Sequence, residues 1–285
     1  NVYIVGAGLA GLSASVHGLK NNLNVKLFES SNLVGGRCRS FFDKKLGIEI
    51  DNGNHLVFSA NNNFYELCEI IKSTKKINTL PPTLQFFDKK KQIHWSLDLN
   101  NISLKEIFSK KDKLIPETKL SDYLSILKFI YVKKKKTVSD IVGDSKIFST
   151  FWDPLTLGVM NTSSESASAK VLSNVLKKTL FRGSKFCHIY QPKINWNDAL
   201  IKPSREFLNK NGCEIQLKKT LKKIEINNNF VSRLYFNDDS IKVMQNDLVL
   251  LAIPPTNFSK FFPNHKVPKK YNSIINIHFK LPNKL

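Results

Sequence analysis

Six residues near the start, Gly6-Ala7-Gly8-Leu9-Ala10-Gly11, restrict this chain more than any other stretch. Glycines at that spacing serve a backbone that must turn sharply out of a strand and into a helix. The flanks agree. Val2-Tyr3-Ile4-Val5 is an apolar run suited to a buried strand, and Leu9, Leu12, Val16 and Leu19 recur at helical spacing. In such a unit Gly6 permits the tight turn, Gly8 lets backbone approach a pyrophosphate, and Gly11 lets helix and strand close on each other. The phosphate charge then lies at the helix N-terminus, beside Ala10.

A second apolar run, Val25-Lys26-Leu27-Phe28, ends in Glu29, eighteen residues after Gly11. An acid at about that separation hydrogen-bonds ribose hydroxyls, and its charge repels a 2′-phosphate, which argues against NADP. Gly35-Gly36-Arg37 follows. Paired glycines allow close backbone approach, and a guanidinium forks onto pyrophosphate oxygens. Simple NAD dehydrogenases do not need this second clamp. Strand-like Ile48-Glu49-Ile50 then leads into Asp51-Asn52-Gly53-Asn54-His55, a polar turn able to bring backbone to a flat ring system.

A chain of 285 residues exceeds one domain of about 100–200 residues, so two lobes are expected. Hydrophobic residues at 41% and aromatics at 11% can bury a full core, which excludes a disordered chain. Cys38, Cys68, Cys187 and Cys213 form no C-x-x-C pair and have no close histidine partners. No metal site is therefore expected, and the four read as reduced thiols of a cytoplasmic protein. The net charge of +21 comes almost entirely from lysine. It fits either a compositional bias, with lysine on every exposed face, or a functional basic surface. Helix-turn-helix patterning and arginine-rich base readout are not evident, so nucleic acid is not an expected partner. No apolar run reaches the ~20 residues that span a bilayer, and there is no signal peptide. The sequence opens at Asn1 directly before a strand and stops at Leu285 after a strand-like stretch from Ile274 to Leu281. It reads as a fragment whose C-terminal part is missing.

Farther on, Phe86-Phe87 and Ile93-His94-Trp95 predict a hairpin turning through residues 88–92, just after Pro81-Pro82. Residues 120–132 predict an apolar helix followed by Lys133 to Lys136, either a core element or one that docks on anionic lipid. Thr162-Ser163-Ser164-Glu165 has the form of a capping box. It opens a helix striped by Val171, Leu172, Val175, Leu176 and Leu180. Pro203 and Gly212 bracket another helix. Strands are predicted over 213–217, 221–226, 230–236 and 241–244, with a buried strand over 247–253. One parallel-type strand, a three-stranded meander and a final strand complete the opening nucleotide-binding unit, whose domain is therefore discontinuous.

These motifs together resemble the flavin-binding amine oxidase and phytoene desaturase superfamily. The run Phe151-Trp152-Asp153-Pro154-Leu155-Thr156-Leu157-Gly158-Val159-Met160-Asn161-Thr162 is similar to its squalene-associated branch, which contains bacterial hydroxysqualene dehydroxylases. Glu165, Ala167-Ser168-Ala169, Val175-Leu176 and the early Asp51-Asn52-Gly53-x-His55 support that branch. The resemblance implies an α/β fold: a Rossmann-like FAD-binding domain with a β-meander, residues 1–75 and 205–258. A mixed α+β substrate domain, residues 76–204 and 259–285, interrupts it. FAD is held, by the same resemblance, at Gly6, Gly8, Ala10, Gly11, Glu29, Gly35, Gly36, Arg37, Gly53 and Leu221.

The implied substrate is an isoprenoid lipid in an apolar tunnel. Asn54, Trp152 and Asn161 are its expected lining, and Phe86, Phe87 and Phe129 are further aromatic candidates. Asn54 stands where relatives often carry Gln. The implied reaction is reductive: hydroxysqualene and reduced FAD give squalene, oxidised FAD and water, with a general acid protonating the leaving hydroxyl. His55 is the candidate acid, since an imidazole titrates near neutrality, and Asp153 is the second. Peripheral contact with the inner face of a membrane is expected. The same scaffold serves an oxidative carotenoid-type desaturase, the alternative reading, while an amine oxidase would need an aromatic cage for the amine.

Overall fold

In the computed structural model, residues 1–53, 55–100, 115, 118–133 and 135–279 are described. The chain opens as the glycines require. β1 (Val2–Val5), α1 (Leu9–Lys20) and β2 (Val25–Phe28) form a βαβ unit with its strands side by side and parallel. Next come the hairpin β3 (Ser40–Asp43) and β4 (Ile48–Asp51), the short β5 (Val57–Phe58), α2 (Asn62–Ile70) and β6 (Ile77–Leu80). The hairpin expected from the aromatic residues is β7 (Thr83–Asp88) with β8 (Ile93–Asp98); it pairs Phe86 with Trp95, whose rings stack at 4.0 Å.

A helical stretch follows: α3 (Leu120–Tyr123), α4 (Val138–Val142), α5 (Asp153–Met160) and α6 (Ala169–Lys178). β9 (Ile189–Pro192) returns to lie between β5 and β6. Then come α7 (Lys202–Lys210), β10 (Glu214–Gln216), the meander β11 (Leu221–Asn227), β12 (Phe230–Phe236) and β13 (Ser240–Lys242), β14 (Leu248–Leu251) and α8 (Pro255–Phe261).

Chain order and sheet order differ, and the difference builds the site. β10 adds to β2 and β14 adds to β1, giving a parallel sheet in the order β10-β2-β1-β14. Strands separated by about two hundred residues thus flank the opening turn. One face of this sheet packs Ile4, Leu27 and Val25 under Leu12 and Val16 of α1, with Phe64 and Leu67 of α2 and with Trp196, Ala199, Leu200 and Ile201. The other face sets Tyr3, Val5 and Phe28 against Leu221, Leu234, Phe236 and Val243 of the meander. A separate core joins Phe129, Val138, Val142, Phe151, Trp152, Leu172 and Leu176 in the helical stretch. Burying a Leu or Phe side chain contributes about 1.5–3 kcal/mol, so each cluster is a substantial core.

Three expectations are corrected. The apolar stretch over 120–132 is not a continuous α-helix: α3 gives way to a 3-10 segment, Leu124–Phe129. Its apolar residues recur every three positions, the period at which 3-10 side chains align. The capping box does not form either. Val138 N–H donates to Ala167 O, Ser139 N–H to Ser164 O and Ala169 N–H to Lys136 O, so this backbone pairs with residues 136–139 and α6 starts only at Ala169. Finally, β14 is not fully buried. Leu248 and Leu250 align with Val2 and Ile4 on the face that α1 covers, but this edge strand lies beyond the helix and they remain 62% and 42% exposed.

Candidate cofactor and substrate site

The glycines of the turn are there for clearance. Gly6 has φ +102, a conformation other residues avoid, and a Cβ at that position would lie 2.4 Å from Ala252 O at the end of β14. A Cβ at Gly11 would lie 1.8 Å from Gly6 O. The constraint on Gly11 is thus the turn itself more than the strand beneath it. Gly8 is the N-cap of α1, extended in backbone and without a side chain to cap the helix. The first N–H groups of a helix have no intrahelical partner, so those of Leu9, Ala10 and Gly11 form an anion-binding end.

The Gly35-Gly36-Arg37 loop is joined to this turn, which spacing alone did not reveal. Gly35 N–H donates to Ala7 O at 2.7 Å, and Gly8 and Gly35 form a parallel bridge. Gly36 has φ +54, and a Cβ there would sit 3.1 Å from Gly8 Cα. The two glycine loops make one cradle. Arg37 is exposed at its rim.

Glu29 closes the other side. Its Oε2 accepts the Ala7 N–H at 2.7 Å and its Oε1 accepts the Ser31 N–H at 2.8 Å. Ser30 Oγ also donates to Oε1, at 3.2 Å, so both oxygens are held at the mouth of the turn and Oε2 is the one that keeps a lone pair for a further donor. The Lys218 and Lys219 N–H groups donate to Ser31 O and Glu29 O, which brings the start of β11 to the same place. The Leu221 side chain itself points into the sheet–meander core, 9% exposed.

The β3–β4 hairpin carries the polar turn to the cradle. Asn52 N–H donates to Arg39 O and its Nδ2 to Arg37 O, both at 3.2 Å. The hairpin is itself anchored from far along the chain. Asp51 Oδ1 accepts from Ser40 Oγ at 2.6 Å and from Trp196 N–H at 2.9 Å, Asn197 N–H donates to Ser40 Oγ, and Asn195 Nδ2 donates to Glu49. Gly53 is buried and a Cβ on it would lie 3.2 Å from His55 Nε2, so the exposed imidazole rests against the Gly53 backbone. Asn54 lies outside the described residues. Burial, then the Asp51 carboxylate, push the Cys38 thiol up to about 11, and burial does the same at Cys187 and Cys213. These are inert thiols.

The remaining candidates lie elsewhere. Trp152 is 1% exposed, its Nε1 donating to Ser125 Oγ at 3.0 Å and its ring packed on Phe129 and Phe151. It belongs to the core of the helical lobe, as does Phe129, and so supports a wall instead of lining a space. Phe87 is half exposed and stacks on His94. Asn161, left-handed at φ +51, ends α5, and its carbonyl accepts from Asn272 Nδ2 at 2.8 Å, while Asn276 Nδ2 donates to Asn52 O at 3.3 Å. The 272–276 segment thus runs from the Asn161 corner to the polar turn. Between hairpin and helices lies a small apolar cavity of about 20 Å³, lined by Phe58, Leu84, Leu155, Leu172, Leu176 and Leu180 among others. Leu172, Leu176 and Leu180 belong to the helical stripe and Leu155 to the Phe151–Thr162 run, but nothing in the sequence joins them to Phe58 and Leu84, because the six come from five separate elements. Among the described residues, no group of three His, Cys, Asp or Glu side chains is placed to hold a metal ion.

Comparison with known proteins gives this geometry its context. The family of flavin containing amine oxidoreductases matches residues 9–285. A hydroxysqualene dehydroxylase from Sinorhizobium fredii is 30% identical over 98% of the chain and 68% of its own length. A zeta-carotene desaturase from Capsicum annuum is 36% identical, but over 31% of the chain and 15% of its own length. Among solved structures, an oxidoreductase from Methanosarcina mazei superposes with a TM-score of 0.67 at 17% identity, covering 90% of this chain and 60% of that one. The chain spans about two thirds of the dehydroxylase and somewhat less of the solved structure.

Proposed function

We propose that this chain, which belongs to the flavin-containing amine oxidoreductases and within them to the hydroxysqualene dehydroxylase branch, reduces hydroxysqualene to squalene. FAD is its cofactor, and the cradle fits it. Gly8 and Gly36 let the two loops meet backbone to backbone, a Cβ at Gly36 lying 3.1 Å from Gly8 Cα, beside the bare α1 N-terminus that suits a pyrophosphate, and Glu29 Oε2 keeps acceptor capacity for a ribose hydroxyl. We assign Gly6, Gly8, Ala10, Gly11, Gly35, Gly36, Arg37 and Gly53 to this cofactor, with Leu221 contributing through backbone. Residues 1–75 and 205–258 form the flavin lobe, with Trp196 to Ile201 packed into its core. We assign residues 76–204 and 259–285 to the substrate lobe, apart from the Trp196–Ile201 segment that packs into the flavin lobe.

When bound, reduced FAD supplies the hydride that replaces the departing hydroxyl. The protein's own task is to hold the alcohol and protonate it. His55, beside the Gly53 backbone, delivers a proton from its ring to the hydroxyl oxygen, so that the C–O bond breaks and water leaves. The lining of the cavity is apolar, as a hydrocarbon ligand requires: among the described residues its one hydroxyl, that of Thr179, already donates to Val175 O at 2.8 Å. At about 20 Å³ it has room for little more than a water molecule, so it marks where apolar side chains converge and a hydrocarbon chain enters only if the lobe opens. Such a substrate resides in lipid, so contact with the cytoplasmic face of a membrane belongs to this reading. No helix among the described residues is long and apolar enough to cross one.

The observation that carries the proposal is a glycine cradle closed by Glu29 in a chain similar to a hydroxysqualene dehydroxylase over 98% of its length. The test is anaerobic: reduce the flavin of the full-length holoenzyme, add hydroxysqualene, and measure squalene. No squalene from a flavin-loaded preparation, or desaturation of a carotenoid precursor by the oxidised enzyme, overturns it. His55→Ala should lower the rate by roughly 10²–10⁴ without weakening flavin binding. Unchanged turnover would exclude it as the acid.

A further inference from the structure

The 3-10 segment Leu124–Phe129 sorts its apolar residues by the period of three. Ile126, Phe129 and Val132 face the helical core, where Phe129 is 0% and Val132 6% exposed. The next ridge, Leu124, Leu127 and Ile130, faces outward, each residue more than half exposed, and Tyr131 beside it is 85% exposed. This apolar ridge is held in place. Trp152 Nε1 donates to Ser125 Oγ and Ser173 Oγ donates to Phe129 O at 2.7 Å, so the inner side cannot roll outward to hide it.

Charge flanks the ridge along the chain. Six lysines and three aspartates lie between residues 119 and 144. Each aspartate is already engaged: Asp122 accepts the Lys119 N–H, Asp140 accepts the Thr137 N–H and feels the charge of Lys136 without an ion-pair contact, and Asp144 pairs with Lys128 at 3.0 Å. Lys133, Lys135 and Lys136 are exposed, with no carboxylate at ion-pair distance among the described residues. A ridge of Leu, Ile and Tyr followed by exposed lysines, none within ion-pair distance of a carboxylate among the described residues, is complementary to a surface that is apolar below and negative above. That is the boundary of an anionic bilayer.

We infer that the Leu124–Tyr131 ridge and the lysines that follow it are a docking surface for anionic lipid membranes. A second copy of the chain fits less well, since a twofold contact would set the same lysines against one another. The inference specifies the membrane contact of the proposed function, but its evidence and its test are independent of the reaction.

The test is co-sedimentation of the full-length holoenzyme with phosphatidylcholine vesicles with and without phosphatidylglycerol. The parent should bind the mixed vesicles, lose binding as salt rises, and bind pure phosphatidylcholine poorly. Leu124→Ser, Leu127→Ser and Ile130→Ser together should abolish binding while turnover of detergent-dispersed substrate is retained. If that variant fails to fold, Lys133→Gln, Lys135→Gln and Lys136→Gln decide the matter; at about fivefold per lysine, binding should fall about a hundredfold. Parent protein that ignores anionic vesicles, ridge or lysine variants that bind like the parent, or a ridge substitution that only splits a dimer would each overturn the inference. Vesicle binding without squalene formation would instead sink the reaction and leave the docking surface standing.

Discussion

A carboxylate that accepts two backbone N–H groups has little freedom to point elsewhere, and Glu29 is fixed in this way at the mouth of the glycine turn. The glycines around it divide by what crowds them. Gly36 and Gly47 both have positive φ, +54 and +68, but a Cβ at Gly36 would press on Gly8 Cα at 3.1 Å, whereas nothing lies within 4 Å at Gly47. Alanine at either position incurs the left-handed backbone penalty of about 1–2 kcal/mol. Only Gly36→Ala should also narrow the cradle. Its FAD affinity should fall at least tenfold in a flavin titration while Gly47→Ala leaves affinity unchanged. Equal affinities would remove Gly36 from the site. Local steric demands of this kind are legible in sequence because they depend on a few neighbouring residues. The contact between Gly35 and Ala7 was not, since it joins two loops through backbone atoms common to every residue.

Among the elements, the nucleotide-binding strands and the meander were legible because their turns announce them. Asn228 and Asn229 take positive φ between β11 and β12, as tight hairpins require. The helical lobe was read less well. A run of apolar residues fits either a 3.6 or a 3.0 period, and which one forms at Leu124–Phe129 is settled by tertiary bonds from Trp152 and Ser173. The capping box lost to the pairing of 136–139 with 164–169, a contest that local pattern does not record. Trp152 tests the division between core and site. Trp152→Phe removes a buried hydrogen bond worth about 1 kcal/mol and leaves a cavity costing a comparable amount. Thermal unfolding should therefore shift to lower temperature with FAD affinity intact. A variant of unchanged stability but altered substrate KM would return Trp152 to the substrate path.

Across the whole molecule, the sequence made the cofactor lobe readable and the substrate path obscure, for one reason. The cradle uses short consecutive motifs, while the cavity borrows single apolar residues from elements spread between Phe58 and Cys187. The hairpin that brings Gly53 and His55 to the cradle is likewise locked by Asn195, Trp196 and Asn197, partners about 145 residues or more away. What the account depends on most is that the β1–α1 turn and Glu29 together hold FAD. The direct measurement is the FAD dissociation constant of full-length Glu29→Gln beside that of the parent, with unfolding followed in both. A charged hydrogen bond is worth about 1.5–3 kcal/mol, so affinity should fall roughly 10- to 100-fold in a folded protein. Equal FAD affinity in the two proteins would contradict the account.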